Sequence, residues 1–514
     1  RFTSGRNRMF RIFGPPGTGK TTRLLNMVDD ALQKGVPPMN IAFLAFTRKA
    51  AEEAKERAAK RFNLDPKKDL FYFRTLHSLA LSCSDIRTEQ VMQDENYREL
   101  SNKIGVGLNV QRINSFDEDI AETTKTTDPI LGLINLARMR KVPLRQQYNE
   151  TPIETEWNTV TYVDKCLTSY KENMEMYDFT DMLENFPKEG YITCPQFNLC
   201  FVDEAQDLSP IQWDIAHLLD EKSDRMYCAG DDDQAIYRWA GADVDHFIDL
   251  DGGSETLSQS YRIPFSIHQL AERVVSRIGT RFLKDYSPKV DEHGSIRRIF
   301  SVEEVDMSEG SWLVLAQAGY QLQPVAAELK SNGFLFNNRG HRSISERISD
   351  AVNGWEQLRK GKEVSGAVAR KIYSYMSTKE RVKRGFKTLS TVEDMDMLNI
   401  DTLIADHGLL ATPDMVWHIA MDRIPENDRA YIIAMLRRGE RFNGDPRITV
   451  STIHGAKGGE ADNVVLFTDL SPAAEEQMNI NPDDTHRVFY VGVTRAKQNL
   501  FIVEPQDFTR SYDL

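Results

Sequence analysis

The feature that most constrains this chain is a phosphate-binding loop near its start. Gly14–Thr21 reads Gly-Pro-Pro-Gly-Thr-Gly-Lys-Thr and fits the pattern G-x-x-x-x-G-K-[ST] without a mismatch. The apolar run Met9–Phe13 precedes the loop, and apolar residues at helical spacing follow it from Leu24 to Leu32. A strand, a glycine-rich loop and a helix in this order predict an α/β core that binds a nucleoside triphosphate.

Each part of this loop has a chemical task. Glycine lets backbone N–H groups curl round the phosphates, Lys20 can neutralise the β and γ oxygens, and the Thr21 hydroxyl can bind Mg²⁺. The predicted nucleotide-binding residues are Gly14, Pro15, Pro16, Gly17, Thr18, Gly19, Lys20, Thr21 and Thr22. A glycine-rich turn that matches by chance is the alternative, which the flanking strand and helix disfavour.

A pair of acids follows the apolar run Leu199–Val202. Asp203 would lie at the carboxyl end of a strand, where ligands of open parallel sheets bind. Asp203 can hold Mg²⁺ directly or through water, and Glu204 can polarise the water that attacks a γ-phosphate. Such a pair alone is more often an acidic surface turn, but together with Gly14–Thr21 it predicts hydrolysis of ATP or GTP.

Apolar runs bounded by polar turns predict the strands of parallel sheets. They are Met9–Phe13, Ile41–Phe46, Leu199–Val202, Met226–Ala229, Trp312–Ala316, Ile448–Ile453, Val464–Phe467 and Leu500–Val503. Residues 85–195 and 345–440 are instead rich in Lys, Arg, Glu and Met at helical spacing, which predicts helical insertions. Asp249–Ser254 is the expected linker between two sheet-forming halves, so the fold class predicted is α/β with a duplicated core.

Composition excludes several classes of protein. The 514 residues are 27% charged and 40% hydrophobic, which is typical of a globular chain of several domains. A net charge of −13 excludes a protein that coats nucleic acid with a surface that is basic throughout. It still allows a local basic groove. The longest uncharged stretch, Gly310–Ala327, is interrupted by glutamines and a proline, so we expect no membrane span.

Cysteine usage and the first residues of the chain indicate the cellular compartment in which the protein acts. The five cysteines form no C-x-x-C pair and are odd in number, so we expect reduced thiols rather than a disulfide framework or a metal site. Arg1–Arg6 is not followed by the apolar run of a secretory leader. We therefore expect a cytoplasmic protein, bacterial or viral.

Seven further sequence blocks narrow the class. They are Leu44–Ala51, Phe73–Ser78, Asp178–Leu183, Ala229–Ala242, Leu257–Arg262, Thr449–Glu460 and Val488–Ala496. In this order the blocks resemble the superfamily 1 DNA helicases of the UvrD/Rep/PcrA family, from Phe10 to about Val503. The resemblance implies two RecA-like P-loop cores with parallel sheets, each carrying a mainly helical insertion. The first core would comprise 1–84 and 196–250 around an insertion at 85–195, and the second 251–344 and 441–514 around a short insertion at 345–440.

The resemblance also assigns roles at the nucleotide. Gln234 resembles the γ-phosphate sensor, while Arg262 and Arg495 resemble two cationic fingers donated by the second core. Tyr261 resembles the residue that stacks on adenine, and Glu460 the acid near the ribose. With Lys20 and Glu204, the residues Gln234, Arg262 and Arg495 form the predicted catalytic set, which uses ATP and Mg²⁺.

A second group of positions resembles the family's contacts to single-stranded DNA. The group is Phe46, Thr47, Thr75, His77, Tyr237, Trp239 and His454. An aromatic face accepts any base, contributing about 1–3 kcal/mol per base without sequence preference. A lone Trp239 would more often be a core residue, but Arg238 between two aromatics argues against a core strand.

The function that the resemblance implies is an ATP-dependent translocase on single-stranded DNA and a 3′→5′ DNA helicase acting at single-strand/duplex junctions. Partners in repair, replication or nuclease complexes are expected, and no membrane. One alternative is a DNA-stimulated ATPase that serves as a motor subunit or remodeller with weak unwinding of its own. The other alternative is an RNA helicase.

Overall fold

The computed structural model describes residues 9–109, 128–441 and 444–514. Arg1–Arg6, where we expect no secretory leader, lies outside the described residues. So do residues 110–127 of the first predicted insertion. The chain forms two compact units. The first comprises residues up to Ser301 together with Ile453–Leu514, and the second is Val302–Thr452.

The first unit contains a six-stranded sheet. Its strands are β1 (Phe10–Phe13), β2 (Ile41–Ala45), β3 (Phe73–Thr75), β4 (Phe197–Val202), β5 (Ser223–Gly230) and β6 (Ser254–Thr256). All pairs are parallel, and the order is β3-β2-β4-β5-β1-β6. β1 and β4 are thus separated only by β5, so the loop after β1 and the acids after β4 meet at one edge.

Helices of the first unit either cover the two faces of this sheet or form a separate helical core. They are α1 (Lys20–Gln33), α2 (Arg48–Phe62), α3 (Leu76–Ser82), α4 (Asp94–Ile104), α5 (Pro129–Met139), α6 (Leu144–Glu150), α7 (Trp157–Met174), α8 (Phe179–Asn185), α9 (Tyr191–Thr193), α10 (Pro210–Glu221) and α11 (Val244–Asp249). Ile12 packs with Leu24 and Val28 on one face, and Leu44 packs with Trp213 on the other. Burial on both faces explains why these strands are continuous apolar runs.

The first predicted insertion is helical over its described part and has a core of its own. Helices α4, α5 and α7 contribute the buried residues Leu100, Ile134 and Val163 to that core. Asp128 caps α5 by accepting hydrogen bonds from the backbone N–H groups of Ile130 and Leu131. These helices therefore form a subdomain with its own hydrophobic core.

The first unit also holds a parallel group of three strands. They are β7 (Ser295–Ile299), β14 (Ala461–Phe467) and β15 (Ala496–Val503), with β15 between the other two. Three helices accompany them: α12 (Phe265–Val275), α19 (Pro472–Ile480) and α20 (Pro482–Val493). Most of α20 is buried, including Arg487, which donates to the carbonyl oxygen of Asp232.

The second unit combines four strands of one sheet with most of the remaining helices. The strands β8 (Trp312–Ala316), β9 (Phe336–Asn338) and β13 (Ile448–Thr452) are parallel, and β10 (His341–Arg342) is antiparallel to β9. The helices are α13 (Gln323–Ser331), α14 (Glu346–Arg359), α15 (Gly366–Ser374), α16 (Ile400–Asp406), α17 (Trp417–Ala420) and α18 (Glu426–Arg438). Leu335 and Ile344 share one buried core with Trp355, Tyr373 and Ile432.

Each of the eight strands predicted from an apolar run is present, and the α/β class with two parallel-stranded regions is confirmed. Two expectations are corrected. The predicted linker at Asp249–Ser254 does not end the first core, because β6 pairs with β1 in the first sheet. Residues 345–440 are not wholly without strands, since β11 (Val364–Ser365) pairs with β12 (Met397–Leu398). The five cysteines are free thiols, and none of the described helices is both long and apolar enough to cross a membrane.

Candidate active site

The phosphate-binding loop is closely packed around the lysine stem. α1 begins at Lys20, and Gly19 precedes it with a φ of 79°, a left-handed conformation that favours glycine. The Lys20 ammonium donates to the carbonyl oxygen of Gly14 at 3.1 Å, and a Cβ on Gly14 would lie 2.0 Å from the Lys20 side chain. The first turn of a 14-residue helix therefore faces the loop with its free N–H groups, which is a site for phosphate.

A segment that follows β6 is bound to the other side of this loop. The Ser260 hydroxyl donates to the carbonyl oxygen of Pro16 at 2.8 Å, and the Tyr261 N–H donates to that of Gly17 at 2.9 Å. Gly17 has a φ of 72°, and a Cβ there would lie 2.4 Å from the Cβ of Arg262. Tyr261 is 71% exposed, so its ring can receive a base beside the phosphate loop.

Thr21 and Asp203 meet as predicted. The Thr21 hydroxyl donates to a carboxylate oxygen of Asp203 at 2.9 Å. Burial and the neighbouring Glu204 raise the pKa of Asp203 to about 6. A hydroxyl beside a carboxylate is the oxygen donor set that Mg²⁺ prefers, and a cation there would relieve the buried charge of Asp203. The residues present therefore fit a magnesium ion.

Glu204 adopts a conformation unusual for its residue type. Its φ of 55° is left-handed, a strained backbone for a non-glycine residue that is found most often at functional sites. The Lys20 ammonium lies 3.7 Å from its carboxylate. Burial alone would raise the pKa of Glu204, but Lys20 and Lys457 outweigh it and lower the pKa to about 2. Glu204 is therefore a carboxylate at neutral pH, as a residue that orients water must be.

Gln206 connects Glu204 to the loop that follows β5. Its side-chain amide donates to Glu204 at 2.6 Å and to Asp207 at 3.2 Å, while its oxygen accepts from the backbone N–H of Asp231 at 3.0 Å. The side chain is fully buried, and a Cβ on Gly230 would lie 2.4 Å from its oxygen. Gly230 is therefore required where Gln206 crosses the strand end.

Gln234 contacts one of the predicted arginine fingers. Its amide nitrogen donates to Asp231 at 2.6 Å, and its oxygen accepts from Arg495 at 2.7 Å. Arg495 also donates to the carbonyl oxygens of Val491 and Gly459, so its guanidinium is held on three sides. Burial and nearby positive charge lower the pKa of Arg495 to about 9, which leaves it protonated at neutral pH.

The second predicted finger has an acidic partner. Arg262 forms an ion pair with Glu460, whose other carboxylate oxygen lies 3.6 Å from the Lys497 ammonium. Glu460 thus stands beside Arg262 and Lys497. Its assignment to the ribose of a nucleotide stays a prediction.

Three consecutive aspartates hold this region in place. Lys284, with a side chain only 1% exposed, lies 3.2, 2.7 and 2.6 Å from the carboxylates of Asp231, Asp232 and Asp233 respectively. Arg281 adds a two-point ion pair with Asp233. A buried cation among buried anions is costly to break from either side. The backbone that carries Gln234 is consequently fixed by charge.

Phe46, Tyr237, Trp239 and His454 form a contiguous group, which we call the aromatic row. The rings of Phe46 and Tyr237 are stacked at 5.9 Å, and those of Trp239 and His454 are edge to face at 6.2 Å. Trp239 is 57% exposed, whereas Tyr237 is 5% exposed. The exposed end of the row offers a flat apolar surface on which a base can stack.

The structure shows where the residues predicted to contact DNA lie, and their contact with DNA stays a prediction. Tyr237 is buried, its hydroxyl donates to the carbonyl oxygen of His454, and its ring has Phe46 on one side and the Lys457 ammonium at 4.6 Å. Its ring is therefore packed inside the row, and its predicted stacking on a base stays a prediction. Thr47 and Thr75 cap α2 and α3 by accepting from backbone N–H groups at 3.1 and 3.2 Å.

The two histidines of that set differ from one another. His77 is 7% exposed within α3, so a contact to a DNA backbone would require α3 to move. His454 is at the edge of the row, and burial together with Lys457 lowers its pKa to about 4. His454 is therefore a neutral member of the row at neutral pH.

Four residues that the sequence patterns did not single out belong to the site: Gln206, Asp207, Ser260 and Lys457. Lys457 forms a salt bridge with buried Asp207, whose pKa burial raises to about 7. Each lies inside or beside a quoted block, but no rule of spacing says which polar side chain in a block turns inward. Only the three-dimensional contacts identify them.

The P-loop lies between β1 and α1, and the Asp-Glu pair follows β4, which β5 separates from β1 in the sheet. Arg262 lies beside Gly17 of the loop, and Arg495 contacts Gln234. This arrangement defines the class of P-loop proteins that bind nucleoside triphosphates. Residues 3–253 match the family model of the UvrD/REP helicase N-terminal domain, and residues 431–506 match the UvrD-like helicase C-terminal domain. The chain belongs to the UvrD/Rep helicase family.

Curated relatives are distant in sequence. The chain is 26% identical to YjcD of Bacillus subtilis over 447 residues, which are 81% of this chain and 55% of YjcD. It is 27% identical over 288 residues to ATP-dependent DNA helicase PcrA of Leuconostoc citreum, covering 53% of this chain and 38% of that protein. For PcrA of Staphylococcus aureus the values are 26% over 298 residues, 52% and 38%. The chain therefore spans between 38% and 55% of these relatives.

Proposed function

We propose that this chain is an ATP-dependent DNA helicase that moves along single-stranded DNA with 3′→5′ polarity. The observation that carries the proposal is the position of Lys457. Its ammonium pairs with Asp207, which shares the amide of Gln206 with Glu204, and it also lies 4.6 Å from the Tyr237 ring centroid. One side chain thus touches both the acids beside the phosphate loop and the aromatic row.

On the nucleotide side, each group has a task in phosphoryl transfer to water. The phosphate loop and Lys20 hold the β- and γ-phosphates, and Glu204 orients the attacking water and accepts its proton. Thr21 and Asp203 would hold Mg²⁺, which would supply neutralisation of charge on the phosphate oxygens. Arg262 and Arg495 supply planar cations that stabilise charge as the γ-phosphoryl group leaves.

On the DNA side, bases stack on Trp239. The buried part of the row connects this contact to the acids beside the phosphate loop. A base that settles on the row presses on Tyr237, and Lys457 then shifts against Asp207. Because Asp207 shares Gln206 with Glu204, that shift alters how the water-orienting carboxylate is held. Binding of DNA would accordingly raise the rate of hydrolysis, and hydrolysis would in turn alter the grip on DNA.

The first test compares substrates. We expect ATP hydrolysis to rise on addition of single-stranded DNA more than on addition of duplex DNA or single-stranded RNA. We expect displacement of a strand from a duplex with a 3′ tail and not from one with a 5′ tail. Displacement from neither duplex, with hydrolysis still stimulated by single strands, would favour the motor-subunit or remodeller alternative. Stronger stimulation by RNA would favour the RNA helicase.

A second test removes only the connection that Lys457 makes between Asp207 and the aromatic row. Lys457→Met removes the ammonium but keeps the stem of the side chain, so the ratio of ATP hydrolysis with single-stranded DNA to hydrolysis without it, measured on the same variant, should fall by about tenfold or more, a coupling free energy in the usual range. Lys497→Met, a basic residue paired with Glu460, is the matched control and should keep its stimulation. Undiminished stimulation in Lys457→Met would contradict the proposed connection.

A further inference from the structure

Two cysteines lie at the two ends of the first helical insertion. Cys83 directly follows α3, just before the predicted start of the insertion at residue 85. Cys194 directly follows α9, just before its predicted end at residue 195. Neither residue has a task in the proposed reaction. A covalent bond between them would join the chain where it enters the insertion to the chain where it returns to the first sheet.

Backbone contacts hold these two ends of the insertion against each other. The Thr193 hydroxyl donates to the carbonyl oxygen of Cys83, although the two residues are 110 positions apart in sequence. A Cβ on Gly190 would lie 3.5 Å from the same carbonyl oxygen. On the other side, the Lys222 ammonium donates to the carbonyl oxygen of Cys194 at 3.0 Å. The segment that carries Cys194 is therefore fixed beside the end of α3.

The two thiols are buried together. Cys83 is 6% exposed and Cys194 is 3% exposed, and both belong to the apolar cluster that includes Leu79 and Phe186. A hydrogen bond joins the two side chains. A disulfide requires two Cβ atoms about 3.5–4.5 Å apart, so it forms without movement of the backbone only between side chains that already touch. Cys83 and Cys194 meet that condition of contact.

The two thiols differ in acidity. The hydrogen bond with Cys194 lowers the pKa of Cys83 to about 7, although burial acts in the other direction. Ser82, Arg74 and Lys222 lower it further. The same hydrogen bond, together with burial, raises the pKa of Cys194. A large fraction of Cys83 is therefore thiolate at neutral pH, the form of cysteine that attacks an oxidant, while Cys194 keeps its proton.

The other three cysteines lie in different surroundings. Cys200 on β4 and Cys228 on β5 are fully buried, and burial raises the pKa of both thiols. Thiols of this kind are inert towards oxidants. Cys166 is half-buried in α7, where its side chain contacts Tyr162. Oxidation that begins at Cys83 therefore has Cys194 as its neighbouring thiol.

We propose that Cys83 and Cys194 form a reversible disulfide when the protein meets a peroxide, and that this bond closes the base of the first helical insertion. The free thiols of the structure are the reduced state of this pair. The proposal concerns thiol chemistry alone and does not depend on the proposed function.

The reaction with hydrogen peroxide has two steps. The Cys83 thiolate attacks one oxygen, so that an S–O bond forms as the O–O bond breaks, and the hydroxide that leaves takes up the proton that the Cys83 thiol released. The Cys194 sulfur then attacks the Cys83 sulfur, so that the S–S bond forms as the S–O bond breaks, and water leaves with the Cys194 proton. Two thiols are thereby oxidised by two electrons and the peroxide is reduced to water. A thiol reductant reverses the bond by exchange.

The test treats the reduced chain with equimolar hydrogen peroxide and then counts free thiols in denaturant. Cys166→Ser, which removes the half-buried thiol, is the parent protein and should fall from four free thiols to two. A protease digest without reductant should contain one peptide that joins Cys83 to Cys194, and dithiothreitol should restore all four thiols. Cys83→Ser in this parent should keep its three thiols. Cys228→Ser in the same parent is the matched control and should still lose two of three.

Cys194→Ser in the parent separates the two steps, because Cys83 should then stop at a sulfenic acid that dimedone traps. Oxidation should also raise the urea midpoint of the parent and leave that of Cys194→Ser unchanged, since a cross-link between distant residues restricts the unfolded chain. Four remaining thiols in the treated parent, a peptide that joins a different pair, or an unchanged midpoint after the bond forms would overturn the proposal. The joined peptide is sought in the parent, so the result does not depend on the folding of the Cys83 or Cys194 variants.

Discussion

The nucleotide site and the aromatic row belong to the same compact unit but are built by opposite means. In the nucleotide site the functional groups are charged and paired with one another, as Glu204 is with Lys20. In the row the key surface is an apolar ring, Trp239, more than half exposed to solvent. The contrast agrees with the proposed function, in which hydrolysis needs electrostatic groups held in place and a DNA strand that moves needs a surface that it can leave again.

The comparison predicts that changes in the nucleotide site abolish turnover and spare DNA binding. The largest effect is expected for Arg495→Ala, which should lower ATP turnover by about 10³-fold or more, in line with other arginine fingers. Arg495→Lys should recover little of this activity, because a point charge cannot contact Gln234 and the phosphoryl group together. Turnover is measured at saturating single-stranded DNA. Near wild-type turnover in Arg495→Lys would remove Arg495 from the catalytic set.

Glu204→Gln is expected to lower ATP turnover by about 10²-fold to 10⁴-fold, the usual contribution of a general base. Nucleotide affinity should change little, because the phosphate loop and Lys20 are untouched. Pre-steady-state binding of a fluorescent ATP analogue separates the two quantities. Asp214→Asn, a surface acid paired with Lys141, is the control for the loss of one carboxylate. Equal loss of nucleotide binding and turnover would mean that Glu204 shapes the loop rather than the reaction.

Trp239→Ala tests the aromatic row, the second region of the comparison. Affinity for single-stranded DNA should fall by about 1–3 kcal/mol, the value of one stacked base, while hydrolysis without DNA stays unchanged. Trp157→Ala, in α7 of the helical insertion, is the matched control for the removal of a tryptophan. The row would lose its assignment if a folded Trp239→Ala protein bound single strands as tightly as wild type.

The smallest expected effect concerns His454 and pH. Its ordinary pKa of 6.5 is lowered to about 4 in the folded protein, by burial first and then by Lys457. Between these values the unfolded chain binds a proton that the native chain does not, so this contribution to stability is present above pH 6.5 and is lost as pH falls towards 4. His454→Gln should therefore lose less stability than wild type between neutral pH and about pH 5, as measured by urea unfolding. Parallel losses would contradict the shifted pKa.

The sequence predicted the central strands of both sheet regions, and Thr21 and Asp203, which it named together, are in contact. Central strands such as β2 and β4 are covered on both faces, so their residues must be apolar throughout, and an apolar run reveals them. The strands that escaped prediction lie at edges or are very short. β7 carries exposed Arg297 and Arg298, and β6 has three residues with no apolar run. An edge strand has a neighbouring strand on one side and solvent on the other, so it needs no continuous apolar run.

The same reasoning explains which site residues could be predicted. Thr21, Asp203 and Glu204 occupy fixed positions relative to a loop and a strand end, so local sequence specifies them. Lys457 and Asp207 are 250 residues apart, and their contact depends on how distant elements pack. Tyr237 shows what local sequence does not specify. An aromatic residue in a block that resembles a DNA-contacting one can be either an exposed stacking surface or a buried residue that supports that surface. Exposure decides between the two, and exposure is a tertiary property.

The measurement that tests the central claim most directly is the rate of ATP hydrolysis by the wild-type chain, with Mg²⁺, as single-stranded DNA is titrated in. If the nucleotide site and the aromatic row are connected through Lys457, the rate should rise by about tenfold or more and saturate with DNA, and the half-saturating concentration should increase with salt. A rate that is already maximal without DNA, or that does not respond to it, would contradict the account.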